Sequence, residues 1–185
     1  HYERTYSLMQ VDADHLCLTV KKVDQGLVSS WLVEGSQTGD ILRLRQPYGE
    51  MQQTVATPHL VLLAAGSGIT PMLSLIEALC QSKQLNTTSV QLMYWVKTHA
   101  DAAYAEYLKE VSENFSNFSY QIFYTQEQDQ RLNQSHVDQI RDLAEITVYA
   151  CGPSGFAATA ESLFQDAAAL QTEAFSLSQF DVDAT

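Results

Sequence analysis

Apolar positions along the chain change their spacing near residue 59. Ahead of it, short apolar stretches are cut by polar and turn-forming residues, which is a strand-and-turn pattern. Residues 5–11 and 16–21 read as two strands. Asp12, Ala13, Asp14 and His15 form the turn between them, so the pair should make a hairpin. Val23 to Gly26 is a second turn. Residues 28–33 read as a short helix capped by Ser29-Ser30. Gly39-Asp40 is a tight turn ahead of a strand at 41–45, where Arg43 and Arg45 punctuate Ile41, Leu42 and Leu44. Gln46, Pro47, Tyr48 and Gly49 break that strand, and the polar stretch 52–58 is a connection.

From residue 59 onward strands and helices alternate. Residues 60–65 form an unbroken apolar run, the pattern of a strand buried on both faces. Gly66-Ser67-Gly68 turns the chain. Thr70-Pro71 opens a helix with Met72, Leu73, Leu75, Ile76 and Leu79; proline suits a first helical position. Strands follow at 90–96, 118–124 and 146–151, with a last edge strand at 173–177. Helices are expected from a cap at Asp101 to about Asn114, at a short segment capped by Ser135, and from Phe156 to about Leu170. Tyr104, Tyr107, Leu108 and Val111 share one face of the first of these. Repeated strand–helix units predict a parallel sheet with right-handed crossovers, in the order 3-2-1-4-5. The predicted fold class is therefore α/β. Ligands of such a sheet bind at the carboxyl ends of the strands, near the switch point. Both glycine turns, Gly66-Gly68 and Gly152-Pro153-Ser154-Gly155, fall there.

The first of these turns sets a strand end, a glycine turn and a helix N-terminus side by side. Free backbone N–H groups and the helix dipole then point at one spot, which suits a phosphate. The spacing G-x-G-x-x-P departs from the dinucleotide fingerprint G-x-G-x-x-G. An ordinary strand-to-helix turn fits the same residues.

Charge and cysteine content narrow the ligand. The 185 residues carry a formal net charge of −12, with 45% hydrophobic and 17% charged residues. An acidic chain repels nucleic acid and anionic lipid. An anionic ligand must therefore be held locally, by backbone N–H groups or single arginines. No apolar run approaches the roughly 20 residues of a membrane span. The leading residues His1, Tyr2, Glu3 and Arg4 lack the character of a secretory signal. Cys17, Cys80 and Cys151 are widely spaced, fit a reducing, cytoplasmic compartment, and cannot supply the four ligands of an iron–sulfur cluster. His15, His59, His99 and His136 have no ligand spacing, so no metal site is expected.

Arg4-Thr5-Tyr6-Ser7, Gly26-Leu27-Val28-Ser29, Gly66-Ser67-Gly68-Ile69-Thr70-Pro71 and Cys151-Gly152-Pro153 stand in an order and spacing that resembles the ferredoxin–NADP reductase superfamily. They cover nearly the whole chain. Within the superfamily the sequence looks most like reductases of oxygenases and acyl desaturases. The resemblance implies a partial antiparallel β-barrel on the FAD side at residues 1–56, lacking its N-terminal strands. It implies a five-stranded parallel NAD(P)-binding domain at 57–177, and a linker or truncated tail at 178–185.

The resemblance also assigns roles. Arg4 would hold the FAD pyrophosphate, Tyr6 would stack on the isoalloxazine ring, and Ser7, next to Thr5 in the motif, would hydrogen-bond the flavin N5 position. Gly26, Val28 and Ser29 would meet the pyrophosphate of FAD, and Gly66, Gly68 and Pro71 that of the nicotinamide cofactor. Thr70 would lie between the two rings. Cys151 would sit beside the nicotinamide C4, with Gly152 and Pro153 turning the chain there. Glu173 and Phe175, in a Glu-x-Phe that closes the nicotinamide domain of such proteins, would approach the flavin edge. Thr125-Gln126 fall where NADPH-using relatives carry a Ser-Arg pair for the 2′-phosphate, with Arg131 a few residues on. The acidic Glu127 beside them points to NADH, whereas Lys97 or Arg131 would favour NADPH. Taken singly, each residue also fits a plain structural place: Arg4 and Tyr6 an exposed strand pair, Cys151 a small buried apolar residue, Glu173 and Phe175 an edge strand.

These roles describe a module that takes hydride from NADH or NADPH onto FAD. It would pass single electrons to a [2Fe-2S] ferredoxin domain or protein serving an oxygenase or desaturase. Two departures qualify the match: the chain starts almost at Arg4, so barrel strands are missing, and no ferredoxin domain follows Phe175. The first is expected of a fragment, or of a module with impaired FAD binding. A non-catalytic nucleotide-binding or regulatory module is the alternative. A nucleophilic enzyme using Ser154 or Cys151 is a third reading, without a G-x-S-x-G elbow to support it.

Overall fold

The computed structural model describes residues 2–10, 14–46 and 57–175. Its centre is a parallel sheet of β3 (His59–Ala65), β4 (Ser89–Val96), β5 (Phe118–Tyr124), β6 (Thr147–Pro153) and β7 (Ala169–Phe175), in the order β5-β4-β3-β6-β7. All neighbouring strands run parallel. That is the expected order 3-2-1-4-5, with β3 as the first strand of the sheet. β3 lies at the centre because its residues are apolar on both faces: Leu60, Val61, Leu62, Leu63 and Ala64 are all buried.

Alternation then divides the core in two. Leu60, Leu62 and Ala64 face the side covered by α2 (Ile69–Gln81) and α3 (Ala105–Asn114). Val61 and Leu63 face the side covered by the short α4 (Gln134–Val137) and α5 (Ser154–Leu163). Trp95, Phe123, His136 and Phe156 form an aromatic cluster there, with Trp95 and Phe123 stacked at 4.7 Å.

The N-terminal part is a two-stranded antiparallel pair, β1 (Leu8–Gln10) and β2 (Leu16–Leu18), followed by α1 (Leu27–Ser30). The pair is the partial antiparallel element expected ahead of the parallel sheet. Hydrogen bonds tie this N-terminal part to the rest of the chain. The Leu8 carbonyl accepts a hydrogen bond from Ser74 Oγ on α2 (3.0 Å). The Thr19 and Tyr104 hydroxyls are hydrogen-bonded to each other.

Several boundaries differ from the sequence pattern. Residues 41–45 are not a strand: Ile41 is 90% exposed, and no strand pairs with this stretch among the described residues. An apolar strand needs a partner for its backbone and a covered face, and among the described residues it has neither. Arg4, Thr5, Tyr6 and Ser7 precede β1 rather than belong to a strand. Gly26, not a serine, is the N-cap of α1, and the chain continues from Trp31 to Gly35 in a wider π-type turn. Asp101 closes a capping box with Thr98 in a separate short turn, and α3 starts three residues after Ala102, behind a left-handed Tyr104. Asn133 rather than Ser135 caps α4, accepting from the Ser135 N–H (2.9 Å). α5 stops at Leu163, because Phe164 leaves the helix to fill the core, and the last strand starts earlier, at Ala169. Residues 11–13 of the expected hairpin turn, 47–56 and the tail from 176 lie outside the described residues. No described helix is long and apolar enough to cross a membrane.

Candidate functional site

β3 ends in a single 3₁₀ turn, Gly66–Gly68, which runs directly into α2. Its two glycines serve different needs. Gly66 has φ +56°, which glycine adopts freely, and nothing lies within 4 Å of where a Cβ would be. Gly68 is a packing glycine: a Cβ there would stand 2.0 Å from the carbonyl oxygen of Cys151. The turn therefore lies flat against the end of β6. Gly152 is crowded in the same way, its Cβ position 2.8 Å from Ala65 Cβ. Thr70 and Pro71 are buried in the first turn of α2, where Thr70 Oγ1 donates to the Ser67 carbonyl (3.0 Å). No acidic residue and no side-chain cap occupies that helix start. A helix start of this kind offers free backbone N–H groups and the positive end of the dipole, which suit a phosphate group.

The strand register sets a row of side chains on the α2 side of the sheet: Ile122, Tyr94, Ala64, Cys151 and Glu173. Cys151 is fully buried, and burial, then the neighbouring Glu173, hold its thiol well above the usual range. It is a neutral thiol, unsuited to nucleophilic attack. Burial likewise pushes the Tyr94 phenol up to about 12. Glu173 is half-buried at the sheet edge, and burial raises its carboxyl above the usual value. Phe175, two residues on, is half-buried and packs with Met9 of β1 on the same cluster.

Since the Leu8 carbonyl is bonded to Ser74, the segment after Arg4 to Ser7 is fixed on the helix whose N-terminus touches Cys151. Tyr6 and Ser7 are half-buried, and burial raises the Tyr6 phenol against the opposing charge of Arg4. Arg4 and Thr5 are exposed. Arg4 Nη1 donates to the Glu3 carbonyl (2.7 Å), while the Glu3 carboxylate pairs with Arg45 (2.8 Å). Gly26, Val28 and Ser29 form their own turn. The Ser29 hydroxyl accepts from the Val23 N–H (3.1 Å) and donates to the Gly26 carbonyl (3.4 Å), so it is engaged within the turn.

Residues 62–162 match the family model described as an oxidoreductase NAD-binding domain. The chain belongs to this family. It is 31% identical over 95% of its length to an NADPH oxidoreductase of Mycobacterium tuberculosis, covering 48% of that protein. It is 28% identical over 76% of its length to the anthranilate 1,2-dioxygenase electron transfer component of Acinetobacter baylyi, covering 42% of that protein. Its fold is that of the flavohem-like FAD/NAD binding domain of nitric oxide dioxygenase from Vibrio cholerae, with a TM-score of 0.80 at 23% identity over 93% of this chain and 76% of that one. The resemblance to ferredoxin–NADP reductase-like reductases thus holds, and the chain spans about half the length of the curated relatives it matches.

In this NAD-binding domain two site residues lie away from the others. Thr125 and Arg131 follow β5, three strands from β6, which is roughly 14 Å at about 4.8 Å per strand. Thr125 N and Oγ1 both donate to the Val96 carbonyl (2.8 and 3.2 Å). Arg131 is exposed and pairs with Asp129 (3.6 Å). Sequence reasoning missed His99, which follows β4 and pairs with Glu127 after β5. The two are 28 positions apart, and only the strand pairing brings their turns together. Among the described residues no group of three or more His, Cys, Asp or Glu is placed to hold a metal ion.

The raised carboxyl of Glu173 has a consequence for stability. An acid whose folded pKa exceeds its unfolded value binds its proton more tightly when folded. Its contribution is favourable at low pH and is lost as pH rises from the ordinary glutamate value to the raised one. Glu173→Gln abolishes this loss. In urea denaturation, its stability relative to the parent should improve as pH rises through that window and stay level below it. A difference that does not vary with pH would remove burial of the carboxylate as the cause.

Proposed function

We propose that this chain is the nucleotide-binding part of an NAD(P)H-dependent flavin reductase that delivers electrons to a [2Fe-2S] ferredoxin domain or protein serving an oxygenase or desaturase. One observation carries the reading. The start of α2 and the end of β6 with Cys151 are held in contact at Gly68, so a dinucleotide whose phosphates lie on the first would place its reactive ring by the second. The names of the relatives, an NADPH oxidoreductase and a dioxygenase electron transfer component, support the activity and the class of acceptor.

FAD, when bound, converts the two-electron hydride of the nicotinamide into single electrons. The chain's own residues bind, orient and exclude water. Gly66, Gly68 and the first turn of α2 hold the dinucleotide phosphates. Thr70, Cys151 and Pro153 line the ring position with no charge on the thiol. Arg4 offers an exposed guanidinium to the flavin phosphates, and Tyr6 and Ser7 lie half-buried beside it as a ring face and a donor. Glu173 and Phe175 close the edge. In this reading residues 1–56 belong to the flavin domain, 57–177 to the nicotinamide domain, and 178–185 to a linker.

NADH is the proposed donor. A 2′-phosphate needs an uncommitted cation at the ribose. Arg131 is offset by Asp129, and the exposed Lys97 follows β4 rather than β5. Glu127 adds a negative charge at the same edge.

The test is purification of the full-length protein and anaerobic titration with NADH and NADPH. Bound flavin that bleaches with NADH, and reduces an added [2Fe-2S] ferredoxin, is expected. Colourless protein that binds nucleotide would favour the non-catalytic module. Arg4→Ala should weaken FAD retention about tenfold, roughly 1.5 kcal/mol for one charged hydrogen bond at an exposed site. The check is flavin content after dialysis, and a variant that retains all its flavin would sink the assignment of Arg4.

A further inference from the structure

The turns that follow β4 and β5 are stitched together at the carboxyl edge of the sheet. The Thr125 and Gln126 N–H groups donate to the carbonyls of Val96 and Lys97 (2.8 and 3.0 Å), extending the strand pairing past both strand ends. The β4 turn is stiffened by Asp101, whose Oδ2 accepts from Thr98 N (3.1 Å) and Thr98 Oγ1 (2.7 Å). Into this frame Glu127 projects a carboxylate with both oxygens engaged by one residue. Oε1 accepts from the His99 backbone N–H (3.0 Å), and Oε2 is bonded to His99 Nδ1. The imidazole is stacked on Tyr124, ring centroids 3.7 Å apart and planes 15° apart. A carboxylate only accepts, so the bonded Nδ1 carries the proton.

An exposed glutamate normally samples many rotamers, and a contact with it is weakened by the entropy of fixing it. Here that freedom is already removed. Each oxygen keeps a further lone pair, so the carboxylate presents two acceptors in a set direction. That is what the two hydroxyls of an unsubstituted ribose require, and it is what a 2′-phosphate is repelled by.

We infer that His99 is a positioning residue for coenzyme selection: it fixes the Glu127 carboxylate, and the His99–Glu127 pair, rather than Glu127 alone, discriminates a ribose 2′-hydroxyl from a 2′-phosphate. The inference rests on the nicotinamide nucleotide site proposed above, with the adenosine half at the β4–β5 edge. Released from His99, Glu127 still carries its charge but no longer holds it at the ribose. Both the gain with NADH and the repulsion of NADPH should then shrink.

The test uses the full-length protein and calorimetric titration with NAD⁺ and NADP⁺, in the parent, His99→Ala, His99→Gln, Glu127→Gln and the His99→Ala/Glu127→Gln double variant. Steady-state KM for NADH and NADPH is measured beside it. His99→Ala should lower the ratio of Kd(NADP⁺) to Kd(NAD⁺) by fivefold or more, with a matching rise in KM for NADH. The double variant should match Glu127→Gln within twofold, because both changes remove one device. His99→Gln, which keeps an N–H donor, should recover part of the ratio. An unchanged ratio in His99→Ala, or effects that multiply in the double variant, would overturn the inference while leaving the nucleotide site in place. A parent protein that binds neither nucleotide would overturn the proposed function, and this inference with it.

Discussion

Gly68→Ala should destabilise the protein by roughly 3 kcal/mol, at the upper end of what overpacking costs, and should strip it of nicotinamide nucleotide affinity. The backbone angles of Gly68 are ordinary right-handed ones, φ −62° and ψ −6°, so conformation is not the reason. Space is the reason. An added Cβ would lie 2.0 Å from the Cys151 oxygen, 2.5 Å from its carbonyl carbon and 2.9 Å from Gly152 N. All three are backbone atoms of β6, which is hydrogen-bonded to β3 on one side and β7 on the other. β6 cannot give way, so the turn must lift and carry the start of α2 with it. Gly66→Ala is the control. It meets open space and carries only the strain of its positive φ, about 1 kcal/mol. Urea denaturation of the two full-length variants, with nucleotide titration, makes the comparison. Equal losses at the two positions would mean that close packing against Cys151 is not what holds the turn.

Cys151→Ala should slow reduction by NADH about a hundredfold while flavin content stays close to that of the parent. The thiol is fully buried at the end of β6, between Ala64 on β3 and Glu173 on β7. Its removal would leave a small void at the proposed ring position, and a reacting ring displaced by about 1 Å can lose on the order of 10² in rate. Burial keeps the thiol protonated, so in the proposed site Cys151 would shape the pocket rather than attack. Stopped-flow bleaching of the flavin under anaerobic conditions measures the step. A rate within twofold of the parent would take Cys151 out of the site. Cys151→Ser, which restores much of the volume, should recover part of the rate if shape is what matters.

The parallel sheet was legible because its strands announce themselves. The run from Leu60 to Ala65 has no polar break, and residues 118–124 are bounded as read. The order of the strands followed from the alternation of strand and helix, since parallel neighbours need crossovers of one hand. Helix caps were less legible. Asp101 and Ser135 are good capping residues, yet Thr98 with Asp101 closed a turn of its own and Asn133 took the start of α4. Several adjacent side chains compete for the same few free N–H groups, and local sequence does not rank them. Residues 41–45 read as a strand because their composition suits one, but a strand is a pairing, and no described segment pairs with them.

By itself, then, the sequence determined the fold class, the position of the glycine turn at Gly66 to Pro71 between strand and helix, and the family resemblance, since these rest on local periodicity and on glycines at fixed offsets. Tertiary structure alone decided which of these stretches meet. Gly68 lies on the Cys151 carbonyl, Glu173 stands beside Cys151 in the register of β6 and β7, and His99 reaches Glu127 across the β4–β5 edge. Each contact joins residues far apart in the chain. Such contacts are fixed by strand register and by the space left between backbones, and neither is written in the neighbourhood of either residue.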